Sequence, residues 1–356
     1  MIYNYFLSLT GSEIATAFIS CLFPLIYVLT YVIVAVYAER KVSAFMQDRL
    51  GPNRCGYRGW LQVVADMLKM IQKEDVVPRS ADKPLYVLAP IVAFTGCFTA
   101  FACIPFSGAY VGSAFPLGIL VVMASSSICA IGLLMAGWSG NNKYSLLGSL
   151  RAVAQIVSYE IPTFLVVLLM VIVFGSLDLT VISEKQTGYF WNWMILGGPG
   201  LSWQKFVYIP FMLGSFIIVY ISTLAEVNRT PFDLPEAEAE LVAGYHTEYS
   251  GMKFGMFFLS EYGNMFAVSA IVSIFFFGGY QSPFGYLGNS LNAHWLIPIE
   301  QFIWFSVKCL FFVFVQMWLR WTLPRLRIDQ LMTTCWKYLI PIAFVNLIII
   351  GLLTVL

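Results

Sequence analysis

The chain has 356 residues, 59% of them hydrophobic and only 11% charged, with a mean hydropathy of +0.79 and a formal net charge of +1. That composition excludes a water-soluble globular domain, and the sparse, balanced charge gives no basic surface for a nucleic acid. A polytopic membrane protein remains.

Crossing about 30 Å of hydrocarbon takes about 20 apolar residues. Eight segments qualify, at about 14 to 38, 85 to 104, 116 to 138, 152 to 177, 205 to 226, 254 to 279, 299 to 319 and 334 to 355. The expected fold is all-α, one integral membrane domain over 1–356. Its connections alternate between one side (about 39–84, 139–151, 227–253, 320–333) and the other (about 105–115, 178–204, 280–298). On this count 17 of the 20 Lys and Arg fall on the first side. Short basic loops stay cytoplasmic, so both termini are expected on the periplasmic side. The start, Met1 to Phe6, lacks a basic n-region, which predicts that the first span stays as an anchor.

The first connection combines Glu39, Arg40, Arg49 and Arg54 with Phe45, Met46 and a Gly51-Pro52 turn. Two readings stand side by side: positive-inside anchoring, and an amphipathic mouth for a lipid-soluble ligand with a polar head. Further on, Trp60, Leu61, Val64, Met67, Leu68 and Ile71 recur at helical spacing opposite Gln62, Asp66, Lys69 and Lys73. This predicts an amphipathic helix lying on the membrane or packed on a partner or on the chain's own loops.

In the fourth span, Glu160 has Ile156, Val157, Thr163 and Phe164 as helical neighbours, so its partner must come from another helix, with Lys308 or a chain of waters as candidates. The connections at 178–204 and 280–298 carry Trp191, Trp193, Trp203, Tyr280, Tyr286 and Trp295, types that favour the headgroup layer. His294 reads as an interfacial residue there.

Between two apolar spans, residues 224–248 gather Glu226, Asp233, Glu236, Glu238, Glu240 and Glu248 against one base, Arg229. Ionisable groups beside or inside a bilayer are rare and mark proton or substrate paths. Asp233-Leu-Pro-Glu236 has the pattern of a helix start, Asp as N-cap and Glu three residues on. Continued as a helix, Leu234, Leu241, Val242 and Tyr245 form one apolar stripe with Glu238 on it, which makes Glu238 the first candidate for proton exchange. Counted at about 1.5 Å per residue, Glu226, Glu261, Glu160 and Lys308 form a staircase toward the midplane, and Tyr159, Tyr262 and Asn264 could add links. The seven cysteines are scattered without a Cys-x-x-Cys pair, and no iron-sulfur, haem or zinc site is readable.

Four motifs, AERKVSAFMQDRLGPNR (38–54), NNKYSLLGSLRAVAQIVSYEIP (141–162), AEVNRTPFDLPEAEAELVAGYHTEYSGMKFG (225–255) and RWTLPRLRIDQLM (320–332), together make the chain resemble the H-subunit family of proton-pumping NADH:quinone oxidoreductase, respiratory complex I. The resemblance spans nearly the whole chain. It implies a translocase subunit that joins the membrane arm to the peripheral arm and forms much of the chamber admitting quinone. Carried over by motif, Glu39, Arg40, Phe45, Arg49 and Arg54 line or support the chamber entrance. Arg229, Asp233, Glu236, Glu240 and Glu248 belong to its inner acidic loop, with Glu238. Glu160, Glu226, Glu238 and Glu261 are the implied proton relay, and Lys308 is an intramembrane cation. No cofactor is implied on this chain. Quinone is the substrate, while NADH, FMN and iron-sulfur clusters belong to partner subunits of the peripheral arm; small membrane-arm subunits and the lipid bilayer complete the expected partners. The implied location is the bacterial inner membrane, with the mitochondrial inner membrane or thylakoid as alternatives. One stretch departs from the family, Arg54-Cys-Gly-Tyr-Arg-Gly-Trp60, where Tyr57 replaces a proline. A membrane-bound hydrogenase subunit and a stand-alone secondary transporter are the rival readings; the transporter would call for an inverted repeat, and none is evident.

Overall fold

In hydrocarbon every backbone polar group must find its partner inside the chain, so apolar runs of this length fold as helices. The computed structural model describes residues 13–112, 115–199, 203–234, 242–286, 288 and 293–355. Among them the only β-pairings are the isolated bridges Pro105 to Val111 and Tyr189 to Phe284. The helices are α1 (Glu13–Met46), α2 (Gln62–Gln72), α3 (Lys83–Cys103), α4 (Gly118–Ser139), α5 (Lys143–Phe174), the short α6 (Leu179–Glu184), α7 (Trp203–Glu226), α8 (Gly251–Phe276), α9 (Ile297–Thr322), α10 (Ile328–Thr333) and α11 (Ile340–Val355). A π-helical segment, Thr334–Leu339, joins α10 to α11. Among the described residues, eight stretches are long and apolar enough to cross a bilayer, the last running through α10 and α11.

Two helices extend beyond their apolar runs. α1 continues to Met46, carrying Glu39 and Arg40 on helical backbone. α5 starts at Lys143 because the Asn142 side chain accepts from the Tyr144 N–H at 3.0 Å, an N-cap bond. Arg151 therefore sits inside a helix.

α8 is the axis of the bundle: 72% of its apolar window is buried, against 22% for the last span. It packs against α1, α2, α3, α7 and α9. Helix association in lipid relies on close packing. A Cβ on Gly132 would lie 2.7 Å from the Ala93 nitrogen and one on Gly96 2.9 Å from the Cys129 nitrogen, so α3 and α4 meet backbone to backbone.

The connections gather at two ends. At one, here the basic end, the loops before α3, α5 and α8 and after α9 are tied by Asp82 N–H to Ser139 O (3.0 Å) and Leu326 N–H to Pro231 O (3.1 Å). At the opposite end, Phe190 N–H donates to Pro283 O at 3.0 Å. Gln186 closes the structure there, donating to Ile274 O at 2.8 Å and accepting from the N–H groups of Met194 and Gly278, both at 3.1 Å. Tyr189, Trp191, Phe284 and Trp295 stand exposed on that surface.

The amphipathic helix α2 lies against α1 and α8. Val63 is buried and Met67 and Met70 line a cavity, whereas Leu61, Val64, Leu68 and Ile71 are exposed. One apolar row thus packs on this chain and another stays free for lipid or a partner. Beyond α1, Tyr57 is exposed and Trp60 stacks on Tyr37 at 5.0 Å.

Candidate functional site

Near the end of α1, Glu39 is 6% exposed. Arg229 Nη1 donates to its Oε1 at 3.4 Å, Arg320 of α9 donates to the same oxygen, and the Tyr262 hydroxyl of α8 donates to Oε2. The Arg229 guanidinium also lies 4.5 Å over the Tyr262 ring. A buried carboxylate is costly unless paired and hydrogen-bonded on both oxygens, and here both are occupied. The resemblance implies Glu39 at the chamber entrance and Arg229 in the acidic loop. The structure brings the two together in one buried cluster, because α1 continues as a helix and turns Glu39 inward.

Arg40 points the other way, its Nη1 2.6 Å from Asp66 Oδ2, while Gln62 Nε2 donates to Asp66 Oδ1 at 3.3 Å. Arg40 and Asp66 border an apolar cavity of about 160 Å³ walled by residues of α1, α2 and α8, among them Val36, Met67, Met70 and Phe258. Arg49 and Arg54 are exposed and Phe45 is 88% exposed, on a tip beyond the bundle. Of the five expected entrance residues, Arg40 alone borders this cavity.

The turn after α7 separates Glu226 from Arg229. Val227 N–H donates to Thr223 O and Asn228 N–H to Ala225 O, both at 3.1 Å. Asn228 takes φ +53°, the left-handed conformation that asparagine tolerates. Past Phe232, Arg325 Nη2 donates to Asp233 Oδ2 at 3.3 Å. Glu236, Glu238 and Glu240, and with them the helix expected to start at Asp233, fall in 235–241, outside the described residues. The expected stripe does not continue through Val242, which is 59% exposed with φ +64°. A left-handed residue breaks a helix, and Tyr245 sits in a separate short turn, Gly244–His246.

That turn lies on α5. A Cβ at Gly148 would come within 2.8 Å of the Gly244 Cα, so only glycine at 148 allows this approach. The contact sets the two residues that follow Gly244. The Tyr245 hydroxyl donates to Glu261 Oε1 at 2.6 Å, and His246 Nε2 is 3.4 Å from the same oxygen. Glu248 is held elsewhere, accepting from Asn142 Nδ2 at 2.7 Å, while its carbonyl accepts from the Tyr86 hydroxyl at 2.6 Å. It fastens the loop to the start of α5 and does not join Arg229. Beside it Tyr249 stacks on Tyr86 at 4.3 Å. Burial pushes the Tyr249 phenol up to about 12, so it stays protonated.

Deeper in the bundle, Thr163 Oγ1 donates to Glu226 Oε1 at 2.7 Å. Ser126 and Ser127 of α4 donate to Glu160 Oε1 at 2.9 and 3.1 Å. A cavity of about 60 Å³ between α4, α5, α7 and α8 has Glu226, Glu261, Thr163, Asn228, Tyr245 and Ser126 on its wall. Glu226 and Glu261 therefore face one shared cavity, and Ser126 connects that space to Glu160.

Lys308 stands apart. Its ammonium donates to the carbonyls of Phe277, Gly279 and Gln281 at 2.7, 2.9 and 2.6 Å and lies 4.4 Å over the Trp193 ring. It anchors the loop after α8 at the opposite end, so it is neither the partner of Glu160 nor the top of a staircase. Tyr159 is also diverted, its hydroxyl within 2.9 Å of Leu331 O and of Thr334 Oγ1. Asn264 reaches Cys129 Sγ at 3.7 Å from the cavity wall.

Sequence reasoning missed Arg320, His246 and the serines of α4. His246 carried a signal, as a histidine in an acid-rich segment flanked by spans; Arg320 and Ser126 were indistinguishable from a loop base and a packing residue. Among the described residues, no group of three or more His, Cys, Asp and Glu is placed to hold a metal ion.

A family model described as NADH dehydrogenase matches residues 19–351. The chain is 49% identical over 339 residues to the NADH-quinone oxidoreductase H subunit of Chlorobaculum tepidum, covering 94% of this chain and 90% of that one. It is 50% identical over 336 residues to the corresponding H subunit of Chlorobium luteolum, covering 94% and 87%. With the NADH-quinone oxidoreductase subunit 8 of Rhodothermus marinus, identity is 46% over 323 residues, covering 90% and 91%.

Proposed function

Because the chain belongs to the NADH dehydrogenase family, with the H subunits of NADH-quinone oxidoreductase among its relatives, we propose that it forms part of the quinone chamber and couples quinone reduction to proton movement. It does so as a multi-pass subunit, not catalytic alone, between the peripheral electron-transfer subunits and the other membrane subunits of that enzyme, in a bacterial inner membrane. NADH, FMN and iron-sulfur clusters stay on those partners, and quinone is the shared substrate.

The observation that carries this reading is the sequence of buried polar groups running from the ion-paired Glu39 through Arg229 and Tyr262 to the cavity shared by Glu261 and Glu226. Residues 261 and 262 are adjacent on α8, so the cluster around Glu39 and the pair of Glu261 with His246 are joined through the backbone. At low effective dielectric, a charge change on a ligand headgroup near Arg229 is felt by both carboxylates. The cavity, about 60 Å³, is large enough to hold water between the elements that carry Glu261 and Glu226. Through Ser126 the path reaches Glu160. Glu238 is the expected first member on the loop side, with Asp233, Glu236, Glu240 and Glu248 shaping the field around it. The apolar cavity bordered by Arg40 and Asp66 offers walls for an isoprenoid tail and a polar edge for a headgroup, with Phe45, Arg49 and Arg54 on the exposed tip beyond it.

Substituting Gln for Glu keeps shape and removes the releasable proton. In the assembled enzyme, Glu226→Gln and Glu261→Gln are expected to lower protons moved per electron by about tenfold, measured in sealed vesicles with NADH as donor. Parental pumping in both would refute the relay. Among the rival readings, the relatives' names favour the quinone enzyme over a hydrogenase or a lone transporter.

A further inference from the structure

Gln155, on α5, is 1% exposed and belongs to none of the charge pairs above. Its Nε2 is 2.8 Å from Ala225 O, 2.8 Å from Phe232 O and 3.2 Å from Asn228 Oδ1. Ala225 immediately precedes Glu226, and Phe232 follows Arg229 by three residues. One amide group therefore holds both ends of the turn that carries these two charges. An amide nitrogen has two hydrogens, so the two carbonyls saturate it and fix which way the group faces. Its own Oε1 is buried without a partner among the described residues. Such an unpaired acceptor is costly, and the carbonyls at the two ends of the turn are what hold the side chain in that pose.

The rest of α5 reinforces the grip. One turn after Gln155, the Tyr159 ring packs 5.6 Å from the Phe232 ring. A further turn along, Thr163 donates to Glu226 itself. The same helix thus touches the beginning of the turn, its end, and the carboxylate at its base. Beyond Phe232 lies the acidic loop, tied at Asp233 to Arg325.

We propose that Gln155 is a positioning residue for charge coupling: by binding Ala225 O and Phe232 O together, it holds Glu226, Arg229 and Phe232 in one fixed turn. Without it, Arg229 and Phe232 can shift while Glu226 stays in place, and proton movement falls behind quinone reduction. This rests on the proton-coupling role given to Glu226 above.

The test uses the assembled enzyme in sealed vesicles with Gln155→Leu and Gln155→Glu, recording quinone reduction and proton translocation together. Gln155→Leu is expected to lower protons moved per electron about threefold or more at every pH, with the quinone KM within about twofold of the parent. In Gln155→Glu, a protonated carboxyl donates one O–H to the turn, whereas an ionised one donates nothing and faces two carbonyls. Its proton yield should therefore be low near pH ~8 and recover toward pH ~6. Arg151, Tyr159 and Glu160 on α5, Glu226, Arg229, Asp233, Tyr245 and His246 after it, and Arg325, Asp329, Cys335 and Lys337 beyond α9 are titratable or charged groups on the elements packed there, so each profile is read against the parent's. A packing role alone would give Leu and Glu variants the same yield at every pH, and that result overturns the proposal. If the Leu variant does not assemble, the pH profile of Gln155→Glu decides alone. Glu226→Gln is measured alongside: normal pumping there overturns the relay itself, whereas impaired pumping there with a parental Gln155→Glu profile overturns only the role of Gln155.

Discussion

Each end of the bundle buries a cation, and the two solve the same problem in opposite ways. At the basic end, Arg229 and Arg320 share the carboxylate of Glu39. At the opposite end, Lys308 is held by three backbone carbonyls and the face of Trp193. A desolvated charge needs compensation in both cases. Carbonyl dipoles at the C-terminus of α8 and an indole face supply it without any group that can gain or lose a proton. A carboxylate can change charge, and Glu39 lies one residue of α8 away from Glu261, through Tyr262, and from the cavity holding Glu226. A cation paired with a carboxylate sits where the acids gather, and a cation held by neutral dipoles sits where the loop after α8 is anchored.

The largest expected effect comes from breaking the carboxylate pair. Glu39→Ala removes the carboxylate that Arg229 and Arg320 share, breaking a buried pair at a cost of about 3–5 kcal/mol. The expected outcome is loss of the chain from the assembled enzyme, read by subunit content of purified membranes. The next effect sharpens the contrast. Lys308→Met keeps length and apolar stem but leaves three carbonyls without their donor, about 2–3 kcal/mol of stability. Thermal inactivation should come at lower temperature, while protons moved per electron in the surviving enzyme stay at the parental value. A Lys308→Met enzyme of normal stability that pumps less would break the comparison, because the anchor would then belong to the relay.

The same contrast marks what could be read from the sequence. The eight spans were legible because hydrophobic runs of about 20 residues have one viable structure in lipid. Glu160, Glu226 and Glu261 stood out because a carboxylate within an apolar run is conspicuous. Their partners were not legible. Thr163, Ser126 and Tyr245 are ordinary residues in membrane helices and loops, and only the packing of α4, α5, α7 and α8 turns them toward acids. Lys308 misled for a related reason: distance counted along one helix cannot tell that the loop after α8 folds back to meet it. The ion pairs of Glu39 were not legible because a helix end written as a loop hides which way its side chains point, and α1 runs on to Met46.

The smallest expected effect tests the apolar cavity without disturbing any charge. Gly255, on α8, borders that cavity, and a Cβ there would lie 3.4 Å from Met70 Sδ and 3.7 Å from Met252 Sδ, ordinary contacts with the flexible ends of two side chains. Gly255→Ala should therefore fit and even stabilise the helix interior by about 0.5–1 kcal/mol, since alanine loses less backbone freedom on folding. If quinone passes between α1, α2 and α8, the added methyl narrows its path and raises the quinone KM about twofold with kcat nearly unchanged. The matched control is at the opposite end. Gly118→Ala on α4 would place its methyl 3.7 Å from Leu179 Cδ1, away from both cavities, and should leave KM at the parental value. Equal KM in both variants would remove the apolar cavity from the ligand's route and leave the buried charges to be reached from another side. A rise in KM confined to Gly255→Ala would instead put the ligand and the carboxylate pair at the same end, which the difference between Glu39 and Lys308 requires.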